Sequence, residues 1–496
     1  VEFFDLTLAK MQEQGEADAR ALALLQAMKA EIAGKPVRQI MADWGLSLAP
    51  RSAIYGLDLI PVVRLEIADE AKLRETVARF EAAAGATLST AKIDDLDYWY
   101  LQPEDAPLRA VLAIQGGHLV LSFTPAQAED ALMRQVLGLE LPEQSLADSE
   151  ALEDFNKRFG FTPHGSGWIS TARLLELAIA PDSAYQAAYL QALEIEPMDA
   201  KEWPEGCLDE ARSIARSWPG LALGYSDLDA SGYRLRTVLQ TPPSVSADLK
   251  TLLAPTPGLD QPAGIDFSVA LKADALPTLA SKWSGELQTA TQGWKCDGLK
   301  MPLAMGASEM QQALSNPAMF MVGPMLHRFN VQINRLEMPE MGPDGEPTGD
   351  TPEFEGKLLI GSPNPQGLLA SARSFVPQLA ELRLEDGAEP VALPALPDMP
   401  VELATFAVVD KGALGIAIGE SERDGLKAAL AAGSTQPLLH FSYRGDFYAD
   451  FLKKVMAQVP SGQDAQETEL TIRLLDASAR AVERSTFELG VSDQGI

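Results

Sequence analysis

Apolar residues recur at helical spacing through residues 3–33, where Phe4, Leu8, Met11, Leu22, Leu25, Met28 and Ile32 share a face and Gly34-Lys35-Pro36 ends the pattern. A shorter helix, VRQIMADWG, follows. The period then shortens to that of strands. SAIYGLDL and PVVRLEI, rich in Ile, Val, Tyr and Leu, predict two of them. Asp69 stands where a helix cap is needed, ahead of a segment with Leu73, Val77 and Phe80 on one side and Gly85 past its end. YWYL (98–101), AVLAI (110–114) and HLVLSF (118–123) predict further strands, the last two joined through Gln115-Gly116-Gly117. Thr124-Pro125 reads as the opening of a helix that stops before Gly138.

The same succession returns further along the chain. Shifted by 295 positions, Ile60–Gly138 lies over Glu355–Gly433 without a gap, with Leu73 over Leu368, Phe80 over Phe375, Gly117 over Gly412 and Leu119 over Leu414. LLIG leads to a helix opened by Asn364-Pro365, ATFAVV and LGIAIG flank Lys411-Gly412, and a helix is predicted over 420–432. GWISTARLLEL (167–177) and HFSYRGDFYADFL (440–452) each read as a strand passing into a helix. Each half closes on a hairpin-like pair holding Leu-Asp-Ala-Ser, at 228–231 and at 475–478. The Pro/Thr/Ser-rich stretch 240–264 reads as a linker between a first repeat, 1–250, and a second, 251–496. In the second repeat the strand-like GIDFSVALK (264–272) precedes the helix ADALPTLASKW. The similar helix FFDLTLAKM begins almost at Val1, which leads us to expect that the natural protein extends N-terminally.

The expected fold class is α+β. Two tandem copies of one unit, each a mostly antiparallel sheet with helices packed on one face, would be related by a pseudo-two-fold axis. The alternation in GYRLRTVLQ and ELTIRL suits a sheet with one wet face.

The run SAIYGLDLIPVVRLEI, with its partner AVLAIQGGHLVLSF, resembles an uncharacterised family of predicted periplasmic or envelope lipoproteins of Gram-negative bacteria. The resemblance covers most of the chain. It implies a periplasmic location and a lipid anchor on an N-terminal segment, and it carries no catalytic residues to transfer.

Charge narrows the choice of partners. Seventy acidic residues against 40 basic ones leave a net charge of −30, with no Lys/Arg-rich run to offset it. That field repels nucleic acid and anionic membrane surfaces. No apolar run reaches the roughly 20 residues of a membrane span. The two cysteines, Cys207 and Cys296, lie in no CxxC or Cys/His cluster. They are either buried thiols of a cytosolic protein or a disulfide in an oxidising compartment, and the second reading is preferred.

Candidate chemistry is sparse. None of His118, His164, His327 and His440 has metal-ligand spacing to another histidine or a cysteine. His164-Gly165-Ser166-Gly167 lacks the spacing of a nucleophile elbow, and no phosphate-cradling glycine motif occurs. Glu150, Glu153 and Asp154 read as a solvated helix face, and Pro343–Asp350 as an acidic hairpin tip. Residues 301–341 hold eight of the chain's 15 methionines. They read first as the seam between the copies and second as a groove for an apolar ligand, with Met305, Met310, Met319, Met321 and Met325 as candidates. Copper binding with His327 is the weakest alternative. No catalytic, cofactor or metal residue is assigned. The expected function is a non-catalytic periplasmic binding or scaffolding protein, monomeric, with a protein or apolar small-molecule partner. The alternative is a carrier or chaperone for a hydrophobic ligand such as lipid, and a hydrolase whose site is invisible in sequence stands third.

Overall fold

Strands form where apolar alternation places them, and each pairs antiparallel with its neighbours. The structure, a computed structural model, describes residues 19–85, 87–102, 106–141, 143, 150–179, 184–193, 204, 206–259, 261, 263–314, 325, 327–337, 340–341, 347–348, 353–394, 403–430, 437–457, 476 and 481–496. The fold is α+β and divides into two units, Val1–Thr237 and Val238–Ile496.

In the first unit β1 (Ser52–Leu57), β2 (Ile60–Glu66), β3 (Ser89–Ile93), β4 (Leu96–Leu101), β5 (Leu108–Gln115) and β6 (His118–Pro125) form one sheet in the order β1-β2-β6-β5-β4-β3. A separate sheet holds β7 (Ser166–Ile169), β8 (Leu221–Leu228) and β9 (Tyr233–Leu239). The second unit has β10 (Ile265–Ala270), β11 (Arg328–Glu337), the small pair β12 (Glu340–Met341) and β13 (Pro347–Thr348), then β14 (Glu353–Gly361), β15 (Val391–Ala392), β16 (Thr405–Asp410), β17 (Ala413–Ile418), β18 (Leu439–Arg444) and β19 (Arg484–Leu489). Its eight-stranded order is β15-β16-β17-β14-β11-β10-β18-β19.

Helices pack against both faces of the six-stranded and of the eight-stranded sheet, not one as expected. On one side of the first sheet Leu73, from the helix Glu70–Ala84, packs with Ile114 and Leu119. On the other, Leu132, Met133 and Val136, from the helix Asp130–Leu137, pack with Val111, Ala113 and Val120. The second unit repeats the arrangement: Leu369 packs with Val409 and Leu414 on one side, and Leu426 and Leu430 with Phe406 and Val408 on the other. Doubly buried strands read as continuous apolar runs, which is what AVLAI and ATFAVV are.

The two units share an internal ladder. Leu65 pairs with Leu119 in β2–β6, and Ile360 pairs with Leu414 in β14–β17, a shift of 295 in both strands. Ala113 pairs with Val120 in β5–β6, and Val408 with Gly415 in β16–β17, the same shift again. Asp69 accepts a hydrogen bond from the backbone N–H of Lys72, and Asn364 from that of Gly367. The connecting turns match as well: Gly116 and Gly117 have φ of 59° and 76°, Lys411 and Gly412 of 50° and 74°. Beyond this block the units differ. β18 pairs directly with β19, whereas β8 separates β7 from β9. Of the second Leu-Asp-Ala-Ser only Asp476 is described, and of the loop Pro343–Asp350 only Pro347 and Thr348, in β13.

Three local expectations change. β6 runs on through Pro125, which pairs with Leu108, so the helix opens only at Asp130. The helix expected over 420–432 is two short pieces, Glu420–Arg423 and Leu426–Ala429, broken beside Gly425. Residues 240–264, read as a linker, contain the helix Pro243–Lys250 and then a packed segment in which Leu252, Leu253, Ala254, Thr256 and Ala263 are buried.

Candidate functional site

That packed segment lies over a polar layer in the second unit. Side chains alternate along a strand, so Asp266 and Ser268 of β10 share a face, as do Asn330 and Gln332 of β11 and His440 and Ser442 of β18. Pairing aligns them in two rows. Asp266 lies opposite Gln332 and Ser442, and Ser268 opposite Asn330 and His440. All six are buried, Asp266 to 2% exposure and His440 to 8%.

Asp266 spends both oxygens inside the layer. Asn330 Nδ2 donates to Oδ1 at 2.7 Å, and Gln332 Nε2 donates to Oδ2 at 3.1 Å. Gln332 Nε2 also reaches the carbonyls of Gly258 (2.9 Å) and Gln261 (3.1 Å), which ties the covering segment to the sheet. Gly258 has φ of 87°, and a Cβ there would stand 2.5 Å from Leu359 Cδ1 and 2.9 Å from Asn330 Oδ1. The close approach requires glycine. Arg484 Nη1 donates to Ser442 Oγ and Nη2 to the Ala263 carbonyl, each at 2.7 Å. His440 Nδ1 lies 3.0 Å from Glu488 Oε1, and Nε2 lies 3.8 Å from Asp266 Oδ1. Burial pushes the Asp266 carboxyl above its ordinary range, against the opposing pull of Gln332, His440, Asn330 and Arg484.

The same face continues into β14. Lys357 forms a buried ion pair with Glu422, and Asn334 Nδ2 donates to Glu422 Oε1 at 2.7 Å. Arg328 is half-buried at the end of β11, and desolvation pushes its pKa down. The buried Thr256 Oγ1, Ser268 Oγ and Asn330 Oδ1 make no hydrogen bond to a protein atom.

Asp, His, Glu and Ser on one face invite comparison with a nucleophilic triad. Ser268 lies across the ladder from His440, yet its Oγ has no hydrogen-bond partner and Ser442 Oγ is taken by Arg484. The imidazole is instead bonded to Glu488, and the Asp266 carboxyl to the side-chain amides of β11. Such a layer holds three strands and a covering segment in register.

Sequence-derived candidates fall elsewhere. Cys207 and Cys296 are disulfide-bonded, and no free cysteine remains. Met301 and Met305, in the helix Asp297–Leu314, are 60% and 58% exposed rather than shielded. Met325 is half-buried with its sulfur 3.7 Å from Ser371 Oγ. The side chain of Met310, and Met319 and Met321 entirely, lie outside the described residues. His118 Nδ1 lies 2.9 Å from the Gly116 carbonyl, His327 Nε2 lies 3.2 Å from Asp274 Oδ1, and His164 is exposed in a turn. Sequence reasoning passed over Asp266, Asn330 and Gln332. Their signal was the alternation in IDFSVA and FNVQIN, which resembles that of a wet sheet face.

Comparison of the chain with protein-family models, with curated proteins and with solved structures finds no match in any of the three. Among the described residues, no helix is long and apolar enough to cross a membrane.

Proposed function

We propose that this chain is a non-catalytic binding or scaffolding protein of the periplasm, of the envelope-lipoprotein kind its sequence resembles, built from two copies of one α+β unit. The observation that carries the location is the pairing of Cys207 with Cys296, since disulfides persist in oxidising compartments and are rare elsewhere. The duplication is supported by the shared register of β2-β6-β5 and β14-β17-β16 and by the two equivalent caps. A structural role for the polar layer is supported by Asp266, whose oxygens are both engaged by neighbouring amides. The test is fractionation of native cells under an alkylating agent. The expected result is an envelope or periplasmic protein with both cysteines unmodified until reduction. Alkylated cysteines in a cytosolic fraction would overturn the reading.

One observation favours the carrier reading as a second. Met301 and Met305 are one helical turn apart and both exposed, so they present soft apolar surface on one helix face. Native mass spectrometry of purified protein, with peroxide footprinting of those two residues, tests it. Bound lipid that shields them supports a carrier, and oxidation at the same rate with and without a lipid extract removes it.

A further inference from the structure

Three oxygens of the polar layer and its covering segment stand apart from their neighbours. Thr256 Oγ1, Ser268 Oγ and Asn330 Oδ1 make no hydrogen bond to a protein atom, and all three residues have 0% exposure. A buried hydroxyl or carbonyl left unpaired carries its full desolvation penalty, so native interiors rarely leave one. Three in one place call for a shared cause.

Register makes them neighbours. Ser268 of β10 lies directly opposite Asn330 of β11, with both side chains on the buried polar face. Asn330 Nδ2 donates to Asp266 Oδ1 at 2.7 Å, and that bond fixes the amide with Oδ1 turned away from the carboxylate. Thr256 comes from the covering segment. The backbone N–H of Lys272, just past β10, donates to the Leu252 carbonyl at 2.9 Å. Gln332 Nε2, level with Asp266, donates to the Gly258 carbonyl at 2.9 Å. As many residues separate Leu252 from Gly258 as separate Lys272 from Asp266, so Thr256 comes level with Ser268. Gly258 shows how closely the segment passes, since a Cβ there would stand 2.9 Å from Asn330 Oδ1. The three oxygens thus converge from three separate pieces of chain without bonding to one another.

We infer that Thr256 Oγ1, Ser268 Oγ and Asn330 Oδ1 bind one internal water molecule, which fastens the covering segment to β10 and β11. The donor set chooses the ligand. Two hydroxyls can each donate, and an amide carbonyl can only accept. Water accepts twice and donates once at a single atom, and about three such bonds are the usual complement of a buried water. A calcium-like cation asks for about six to eight oxygens, carboxylates among them, whereas both Asp266 oxygens are engaged by amides. An anion would meet the Asn330 carbonyl oxygen with no cation to offset it. Arg484 is spent on Ser442 and the Ala263 carbonyl, and Arg328 folds over Gly361 of β14, away from β10. The buried Leu253 and Ala254 of the segment, with Leu359 opposite Asn330, keep bulk solvent out.

The inference rests on the structural reading of the layer, and the tests separate the two. A crystal structure of the full chain should show one peak with three oxygen neighbours, each about 2.7–3.0 Å away. Direct bonds among the three oxygens, or a peak ringed by about six oxygens at about 2.4 Å, would overturn the water. In solution, oxygen-17 relaxation dispersion counts the waters held inside the protein. The paired change Thr256→Val and Ser268→Ala should lower that count by one, and an unchanged count overturns the inference. Each single change should raise the unfolded fraction of the second unit and speed backbone exchange in 252–258. Because both hydroxyls hold one molecule, the combined loss should fall short of the product of the two by at least about fivefold, the scale of coupling between groups that share a partner. Losses that simply multiply remove the shared water. A fluorophosphonate that labels Ser268 would overturn the structural reading, and the water with it. An unchanged water count with no label, and with exchange in β10 and β11 unaltered, sinks the water alone and leaves the layer structural.

Discussion

Position for position, the two units place different chemistry on one ladder. Val62 of β2 is fully buried in an apolar core; its counterpart 295 residues on, Lys357 of β14, is buried too, but in an ion pair with Glu422. The counterpart of Glu422 is Gln127, which is exposed. The backbone register is the same in both units, so the ladder does not choose the chemistry of its faces. What lies against the face chooses it. In the first unit that is Met133 and Val136, and in the second it is a short helix bearing Glu422. A buried charge is tolerated only because its partner arrives with it.

The largest expected effect comes from separating that pair. Lys357→Met leaves Glu422 buried without its cation, with only Asn334 still donating to it, and should cost the second unit about 3–5 kcal/mol in urea unfolding. Adding Glu422→Gln approaches the first unit's chemistry and still offers Asn334 an acceptor. The double variant should regain most of the loss. If the single change costs less than about 1 kcal/mol, the pair behaves as a surface contact and the comparison of the two faces is broken.

Next comes Asp266, in the polar layer of β10. Asp266→Ala strands one buried donor, Asn330 Nδ2, and takes one of three acceptors from Gln332 Nε2, and should cost about 1–3 kcal/mol. Because Gln332 also holds the carbonyls of Gly258 and Gln261, exchange in 252–261 should accelerate together with exchange in β10. Unchanged exchange there would show that the covering segment is held independently of the layer.

The same carboxyl sets a pH dependence of known sign. Its pKa is raised in the fold, chiefly by burial, so the contribution it makes is complete below the unfolded pKa and is lost as pH rises through the folded one. His440, Arg484 and, through His440, Glu488 are the ionisable groups facing it. Asp266→Asn should therefore flatten the fall in second-unit stability on the alkaline side of the ordinary carboxylate range, a smaller effect than the alanine change. Parallel pH profiles for the wild type and the variant would remove Asp266 as the source.

Much of this frame was readable in the chain because the responsible forces are local. Short apolar runs placed β2, β5 and β6 and their counterparts, and short polar residues marked both helix caps. Misreadings arose where distant chain decides the outcome. Thr124-Pro125 has the chemistry of a helix start, but Arg109 and Leu108 lie opposite and carry the ladder past it. IDFSVA alternates as a half-wet strand does, and only the return of 252–263 over it makes Asp266 and Ser268 interior. That same stretch looked like a linker, since Pro, Thr and Gly serve a tightly packed irregular segment as well as a loose one. The paired cysteines were suggested by their even number and by the expected N-terminal leader, and which methionines are open to solvent had no sequence signal.

The smallest effect bears most directly on equivalence. Asp69 and Asn364 each accept from the third backbone N–H of the helix they open, at 3.1 and 2.8 Å. Asp69→Ala and Asn364→Ala should each cost about 1 kcal/mol, the usual value of such a cap. The exchanges Asp69→Asn and Asn364→Asp should cost less than half of that, because either side chain presents an oxygen to the same donor. Exchange in the first turns of Glu70–Ala84 and Pro365–Phe375 reads each cap without requiring the units to unfold separately. Equal losses on alanine replacement, with recovery on exchange, are what one capping geometry used twice would give. A loss at Asp69 with none at Asn364 would mean that Pro365 alone starts the second helix, its fixed φ sufficing there. The two helix starts would then rest on different chemistry despite the matching register.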